Sequence, residues 1–595
     1  MRRFVALGII GLTVIGIAAL WMFIPQLTEG DDPIAASSTS STSATSPPTT
    51  VGSASTTTTE PLSVPTGGSA VLGIVGEPLS LNPLLTGGNA AAVEVVTELW
   101  TIGLIDIDAK THDPVPLAAV SIPSLDNGGL TVNEDGTLTL RYELDPEARW
   151  EDGTPVSGHD VAFTYELMVD PALPIRPDLR ELHGLIVPGS VNATDDSVSM
   201  LLERPSIRFL SLFPVIAPAE QARESDFAAD WNQATWMSAG PFRFDSWDTG
   251  QSVRFLRNEA YGRVDELGDM LPYLDSVKVA FYPGDDALLA AFRLQAVDAA
   301  LVAADPNLLD EFDSSASIDL QIAAGPEYEH LGFGFGPGRF EANPGSMNES
   351  LAFREFVART IDRPAIVADV LADRVPVLDT VVGMSWPAAS AAAWSGYTVD
   401  ESVQAELLSA AIEDLEPTSA TVDFATSTSL ERTQIAGALL QRLGAAGLTV
   451  DIELLELGEF FRDRVLTGAF DLGEWAWRAT PGPVGAVADL EARFSTLPEN
   501  DGYNFYRWGA EGSAESLSAG DLQSRITALD GTLDLEDLRD RLEEIDELLA
   551  ENVVIVPMYA VPNAAAIWVA SFDGFEHVAA FPDTWNAAFW HRSAG

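Results

Sequence analysis

The sequence predicts a mixed α/β protein built from several sheets, because strand-like and helix-like periods follow one another along the chain. From Thr137 to Leu144 apolar side chains take every second position (Leu138, Leu140, Tyr142, Leu144), the pattern of a half-buried strand. Leu535, Leu538, Leu542, Ile545 and Leu549 recur at spacings of 3, 4, 3 and 4, one face of a helix whose other face is Asp, Glu and Arg. Val553 to Pro557 follows as a buried strand. Ile435, Leu439, Leu440 and Leu443 mark a helix stopped at Gly444, after which Leu448 to Leu454 alternates as a strand.

Composition bounds the function. The chain has 595 residues, with 32 basic against 89 acidic side chains and a net charge of −57. Phosphate neutralisation is closed to it, so nucleic-acid binding is excluded. Hydrophobic residues at 46 % and a mean hydropathy of +0.11 supply a large core, so the charge does not signal disorder. At about 150 residues per domain the length suggests three or four folding units. Cysteine is absent, which removes disulfides, thiol catalysis, Cys-zinc sites and cysteine lipidation.

Arg2 and Arg3 precede 21 uncharged residues from Phe4 to Ile24, long enough to span a bilayer. A cleaved signal has a shorter apolar stretch and a small-x-small site. Residues 1–27 are therefore read as a signal anchor with the arginines in the cytoplasm and the rest of the chain outside; cleavage near Ala35-Ala36 is the alternative. Residues 28–66, rich in Ser, Thr and Pro, form a tether that cannot bury enough apolar area to order itself. Almost all the charge lies beyond it, on the exported part.

Catalytic signatures are missing: there is no HExxH, GxSxG, GxxxxGK[ST] or CxxC motif. Gly332 to Gly338 is glycine-rich, but its spacing fails GxGxxG and its alternating Leu331, Phe333 and Phe335 read as a strand. The six histidines have no metal-ligand spacing. No catalytic residue, metal ligand or cofactor is assigned.

Segments in a fixed order carry a resemblance. Glu77-Pro78-Leu79-Ser80-Leu81-Asn82-Pro83 is followed by Glu98-Leu99-Trp100-Thr101-Ile102-Gly103-Leu104 and Pro116-Leu117-Ala118. Then come Trp150-Glu151-Asp152-Gly153-Thr154-Pro155-Val156 with Asp160-Val161-Ala162-Phe163, Gly240-Pro241-Phe242, and Arg257-Asn258-Glu259-Ala260-Tyr261. Phe353-Arg354 with Ile361-Asp362-Arg363 and Ile555-Val556-Pro557-Met558-Tyr559 complete the set. Together they resemble the family 5 extracellular solute-binding proteins of ABC importers, the oligopeptide, dipeptide and nickel-binding group. Most of these motifs read as scaffold, which is why they identify the fold better than the ligand.

The resemblance implies a two-lobed periplasmic-binding-protein-like α/β fold (type II, large cluster with an extra subdomain), hinged by two crossing strands. Lobe I would comprise 67–328, with an inserted subdomain at about 106–200, lobe II 329–555, and 556–595 would return to lobe I. The crossings would fall near His330 to Gly336 and Val556 to Pro562. It further implies a monomeric receptor that captures a peptide or other small molecule and delivers it to ABC permease subunits.

In peptide-binding relatives a lobe II segment supplies an aspartate to the peptide's α-amine. Here Glu474-Trp475-Ala476-Trp477-Arg478-Ala479-Thr480-Pro481-Gly482-Pro483 is similar to it, but Thr480 stands at the aspartate position. A neutral hydroxyl gives no charge-assisted bond to a buried ammonium. Arg478 can fork onto a carboxylate or phosphate, Glu474 can meet a cation, or the two can pair with each other or stand as solvated surface charges. Trp475 and Trp477 suit stacking on sugars or apolar groups, or core packing; Tyr503 and Asn504 are open in the same way. Lobe I contributes Asn82, Asn89, Gly240, Pro241 and Phe242, and the crossing strand Phe333 and Phe335 if alternation turns them inward. An oligosaccharide-binding importer component is the alternative reading; a membrane-anchored sensor and an envelope hydrolase have less support.

Overall fold

A computed structural model describes residues 64–88, 90–335, 347–415, 421–496, 504–509 and 516–593. The expected anchor and tether before Ser63, and the candidates Asn89 and Tyr503, lie outside the described residues. Among the described residues no helix is long and apolar enough to cross a membrane.

Ten strands form one central sheet: β1 (Ser69–Val75), β2 (Phe242–Asp248), β3 (Ser252–Arg257), β4 (Ser276–Tyr282), β5 (Ala299–Val302), β6 (Ile318–Phe333), β7 (Thr421–Ser427), β8 (Thr449–Leu455), β9 (Leu472–Arg478) and β10 (Ile555–Trp568). Their order is β8-β7-β9-β6-β10-β5-β1-β4-β3-β2. The chain from 69 to 302 thus builds one side, 421 to 478 builds the other, and only β6 and β10 serve both, giving two lobes. Ile318 to Ala324 of β6 pairs with Pro562 to Trp568 of β10, whose Ala564 to Ile567 also pairs with β5. Beyond a register shift between Ala324 and Tyr328, β6 gains β9 as its second neighbour from Glu327 to Phe333. A second shift, between Glu329 and His330, skips Met558, so Pro557 sits at an irregularity where its missing N–H is tolerated.

The expected elements at 137–144, 435–443, 448–454 and 535–549 form as Leu138–Glu143, α3 (Leu430–Ala445), β8 and α5 (Leu535–Glu551), the remaining labelled helices being α1 (Gly158–Val169), α2 (Arg363–Leu371) and α4 (Pro483–Phe494). Asp534 caps α5 by accepting from the Glu536 and Asp537 N–H groups, and Leu538, Leu542, Ile545 and Leu549 are fully buried on its inner face. At about 1.5–3 kcal/mol each, that stripe contributes roughly 6–12 kcal/mol of gross apolar burial. A separate four-stranded sheet spans Leu130–Val132, Leu138–Glu143, Ser197–Leu202 and Asn192–Ala193, next to α1.

The family-like motifs turn out to be fasteners. Asp160 of α1 accepts from Ser157 N and from Ala219 N, joining the Trp150 to Phe163 motif to a distant segment. Arg363, buried at the start of α2, donates to the carbonyls of Leu378, Pro557, Trp394 and Tyr397 and to the Asp379 carboxylate. Gly332 belongs to no phosphate loop: a Cβ there would lie 2.7 Å from the Tyr506 ring and 2.9 Å from that of Trp475.

Candidate functional site

Lobe II meets lobe I where Ile207 and Arg208 bond to Asp530 and Glu491, and again in a patch beside the segment that follows β9. His112 Nδ1 lies 2.8 Å from the Ser385 carbonyl, and Trp386 Nε1 donates to Asp113 Oδ1 at 2.8 Å. Gly482 packs on Ile107, whose Cδ1 would lie 2.9 Å from a Cβ there, and its φ of +91° is what requires glycine. Asp489 on α4 organises the lobe II side. It accepts from Ser385 Oγ (2.6 Å), Thr480 N (2.8 Å) and Thr480 Oγ1 (3.1 Å), and pairs with Arg493 at 3.0 Å. Thr480 thus holds the loop to α4.

Beside this patch the two lobes face each other with unequal charge. On lobe I, the side chains of Glu94 and Asp106 are exposed and that of Glu98 is half-buried between them. Burial pushes the Glu98 carboxyl up to about 8, with Asp106 and Glu94 adding to the rise. Burial also raises Glu94, against the pull of Arg176 and of Arg478, which belongs to lobe II; the field of Arg478 therefore reaches across the cleft. Asp106 is raised by burial, with Ile107 N–H and Arg263 working the other way. Two surface hollows, about 380 Å³ at Pro364, Val367 and Asp373 to Val377 and about 270 Å³ beside Ile318 and Phe572, are lined by none of these groups.

Of the candidates read from sequence, Trp477, Arg478, Thr480 and Pro241 keep contact with solvent. Arg478 pairs with Glu327 at 2.6 Å, not with Glu474. Trp477 stacks on Phe505 with centroids 5.2 Å apart, donates from Nε1 to Tyr506 Oη at 2.6 Å and carries Arg493 against its ring. Trp475 and Glu474 are fully buried, on opposite faces of β9. Phe333 and Phe335 are buried too, Phe335 under the Arg354 guanidinium. Alternation could not turn either toward a cleft, because both faces of β6 are covered. Asn82 is spent on the fold, donating to Phe227 O and accepting from Leu84 N. Asn504 closes a turn onto Trp508 O. Gly240 and Phe242 bond to the carbonyls of Trp100 and Leu99, fixing the strand beside Glu98. The sequence reading assigned no role to Glu94, Glu98 or Asp106, although Glu98 opens the motif Glu98 to Leu104: a glutamate that ends a buried apolar helix was the available signal. Among the described residues no group of three or more His, Asp and Glu is placed to hold a metal ion.

The profile of the bacterial extracellular solute-binding proteins, family 5 (Middle), matches residues 113–490. The chain belongs to this family. As a family 5 protein it is 22 % identical over 538 residues to the oligopeptide-binding protein OppA of Mycobacterium tuberculosis, covering 85 % of this chain and 82 % of the relative. The oligopeptide-binding protein AppA of Bacillus subtilis is 25 % identical over 325 residues, 51 % of this chain and 52 % of AppA. Among solved structures, the unliganded open form of the periplasmic murein tripeptide-binding protein MppA superposes with a TM-score of 0.69 at 16 % identity, covering 89 % of this chain and 99 % of MppA, and shares the fold.

Proposed function

We propose that this family 5 protein is the extracellular receptor of an ABC importer, closing its lobes over a peptide-like solute and passing it to membrane permease subunits. We further propose that the solute's cationic group seats against Glu94, Glu98 and Asp106. The observation that carries this reading is the opposition of that wall to Arg478 across two halves that share β6 and β10 in the central sheet. Carboxylates forced upward by burial and by one another gain from a cation placed beside them. They would take over the part of the motif aspartate, which Thr480, tied to Asp489, does not play. Arg478, held by Glu327, would face the other end of the ligand.

The register shifts near Ala324 and Pro557 support a hinge in β6 and β10, with lobe I at 67–328 and 556–595 and lobe II at 329–555. Closure is then the selection of the conformation in which both walls touch ligand. Trp475 is buried and Trp477 already stacked, which weakens the oligosaccharide alternative. We place the receptor outside the cytoplasmic membrane as a monomer without catalytic activity, anchored through residues 4–24 with Arg2 and Arg3 inside. Thermal unfolding with Lys-containing tripeptides, their N-acetylated forms, cello-oligosaccharides and nickel chelates tests the ligand class. Free peptides should raise the melting temperature, since any ligand of the folded form does so, and N-acetylation should reduce the shift. A shift with sugars alone would refute peptide capture, and turnover of a screened compound would refute the receptor-only role.

A further inference from the structure

We propose that Glu474 and Glu329 share one proton, forming a buried acid–carboxylate clamp that holds β9 to β6 and releases at alkaline pH. Glu474 is fully buried, and neither of its carboxylate oxygens has a hydrogen-bond partner. Glu329 is 5 % exposed; its Oε1 takes two bonds from Arg432, from Nε at 3.0 Å and Nη2 at 2.6 Å, while its Oε2 is left without a partner. In the β6–β9 register Glu329 lies opposite Ala476 and Leu331 opposite Glu474, so the two glutamates are diagonal neighbours on one face, within reach of each other.

The surrounding groups leave one positive charge missing. Arg432, from α3, already serves Glu329 and donates from Nη1 to Ser427 Oγ of β7 at 2.6 Å. Thr426 of β7 gives its hydroxyl to the Glu474 main-chain oxygen at 3.0 Å and stands near enough to the carboxyl to offset part of its rise. Tyr559 of β10 and Glu431 of α3 share this neighbourhood, and His330 of β6 feels the charge of Arg432 from beside it. Two ionised carboxylates against one guanidinium would leave an uncompensated buried charge and three unmet acceptors. One proton on Glu474 removes the charge and supplies an O–H for Glu329 Oε2, while Arg432 keeps its two bonds to Glu329 Oε1. Burial, then Glu329, holds the Glu474 acid well above the ordinary range. When the O–H bond ionises, the proton passes to solvent and two carboxylates face each other between β6 and β9. Since β9 leads into Trp477, Arg478 and Thr480, release loosens the lobe II wall; only this last consequence rests on the receptor reading.

The test is equilibrium unfolding of the ligand-free full chain against pH for the wild type, Glu474→Gln and Glu329→Gln. The unfolded glutamate titrates near 4.3 and the folded one higher, so the folded state holds the extra proton and this stabilisation declines as pH rises. Referred each to its own value near pH 5, the unfolding constant of the wild type should gain on that of Glu474→Gln by up to tenfold per pH unit. Glu329→Gln should lose the same slope, because Glu474 then ionises against Arg432. Parallel profiles in all three proteins overturn the proposal. Should Glu474→Gln not fold, the infrared carbonyl band of a protonated carboxyl at pH 7 decides: a band reduced by Glu329→Gln supports the clamp, and unchanged spectra overturn it. The slope present in a protein that captures no peptide would leave the clamp standing and sink the receptor reading instead.

Discussion

Capture of a cationic ligand should eject a proton from Glu98. With its carboxyl at about 8, roughly nine-tenths of ligand-free molecules hold that proton at pH 7. An ammonium group beside it favours the ionised form and returns the carboxyl toward its ordinary value of about 4.3. Binding at pH 7 therefore releases close to one proton per ligand, at a cost of about 1.4 kcal/mol relative to alkaline pH, where Glu98 is already ionised. Affinity should weaken by up to about tenfold for each pH unit between 8 and 5 and level off above 8. In the ligand-free protein the sign is the same as for any raised carboxyl. Its stabilising contribution is complete below the unfolded value and is lost as pH rises through about 8. Calorimetric titration of a lysine tripeptide in phosphate and in Tris measures the release, because the buffers take up protons with different heats. Glu98→Gln should abolish the difference between buffers. Equal enthalpies in the two buffers for the wild type would refute the reasoning.

Three further outcomes follow from named contacts. Arg363→Met leaves four carbonyls and Asp379 without their buried donor and should lower unfolding free energy by about 3–5 kcal/mol in urea; a loss below about 1 kcal/mol contradicts the role given to this arginine. Thr480→Asp, although it restores the motif residue, sets a carboxylate against Asp489 and should lower the melting temperature without enlarging the shift that peptides produce, which the thermal-shift screen checks. Trp386→Phe removes the bond to Asp113 between the lobes, worth about 1 kcal/mol, and should enlarge the ligand-free radius of gyration in X-ray scattering; an unchanged radius argues that this contact does not restrain opening.

How much of this was legible depended on whether one face of an element sees solvent. The stripe Leu538 to Leu549 and the alternation Leu138 to Leu144 were readable because their other faces are polar. The strand expected at Val553 to Pro557 runs on to Trp568. Pro557 is accommodated because it sits where the register slips. In β9 periodicity could not say which side meets ligand, since Glu474 and Trp475 are both buried, one against α3 and the other beneath Tyr506. The acidic wall was hidden for a different reason: in a chain with 89 acidic residues no carboxylate stands out until folding brings Glu94, Glu98 and Asp106 together. Fully absorbed into scaffold were Asn82 and Asn504, whose amides close turns that a sequence motif cannot distinguish from ligand contacts.

Lobe closure can be read directly because the chain has no cysteine, so a fluorophore pair attached at Leu79→Cys and Leu430→Cys, both exposed and one on each lobe, reports a single distance. Titrated with a lysine tripeptide that raises the melting temperature, the pair should move to a shorter distance in a saturable way. A peptide that stabilises the protein while leaving that distance unchanged would contradict capture by closing lobes.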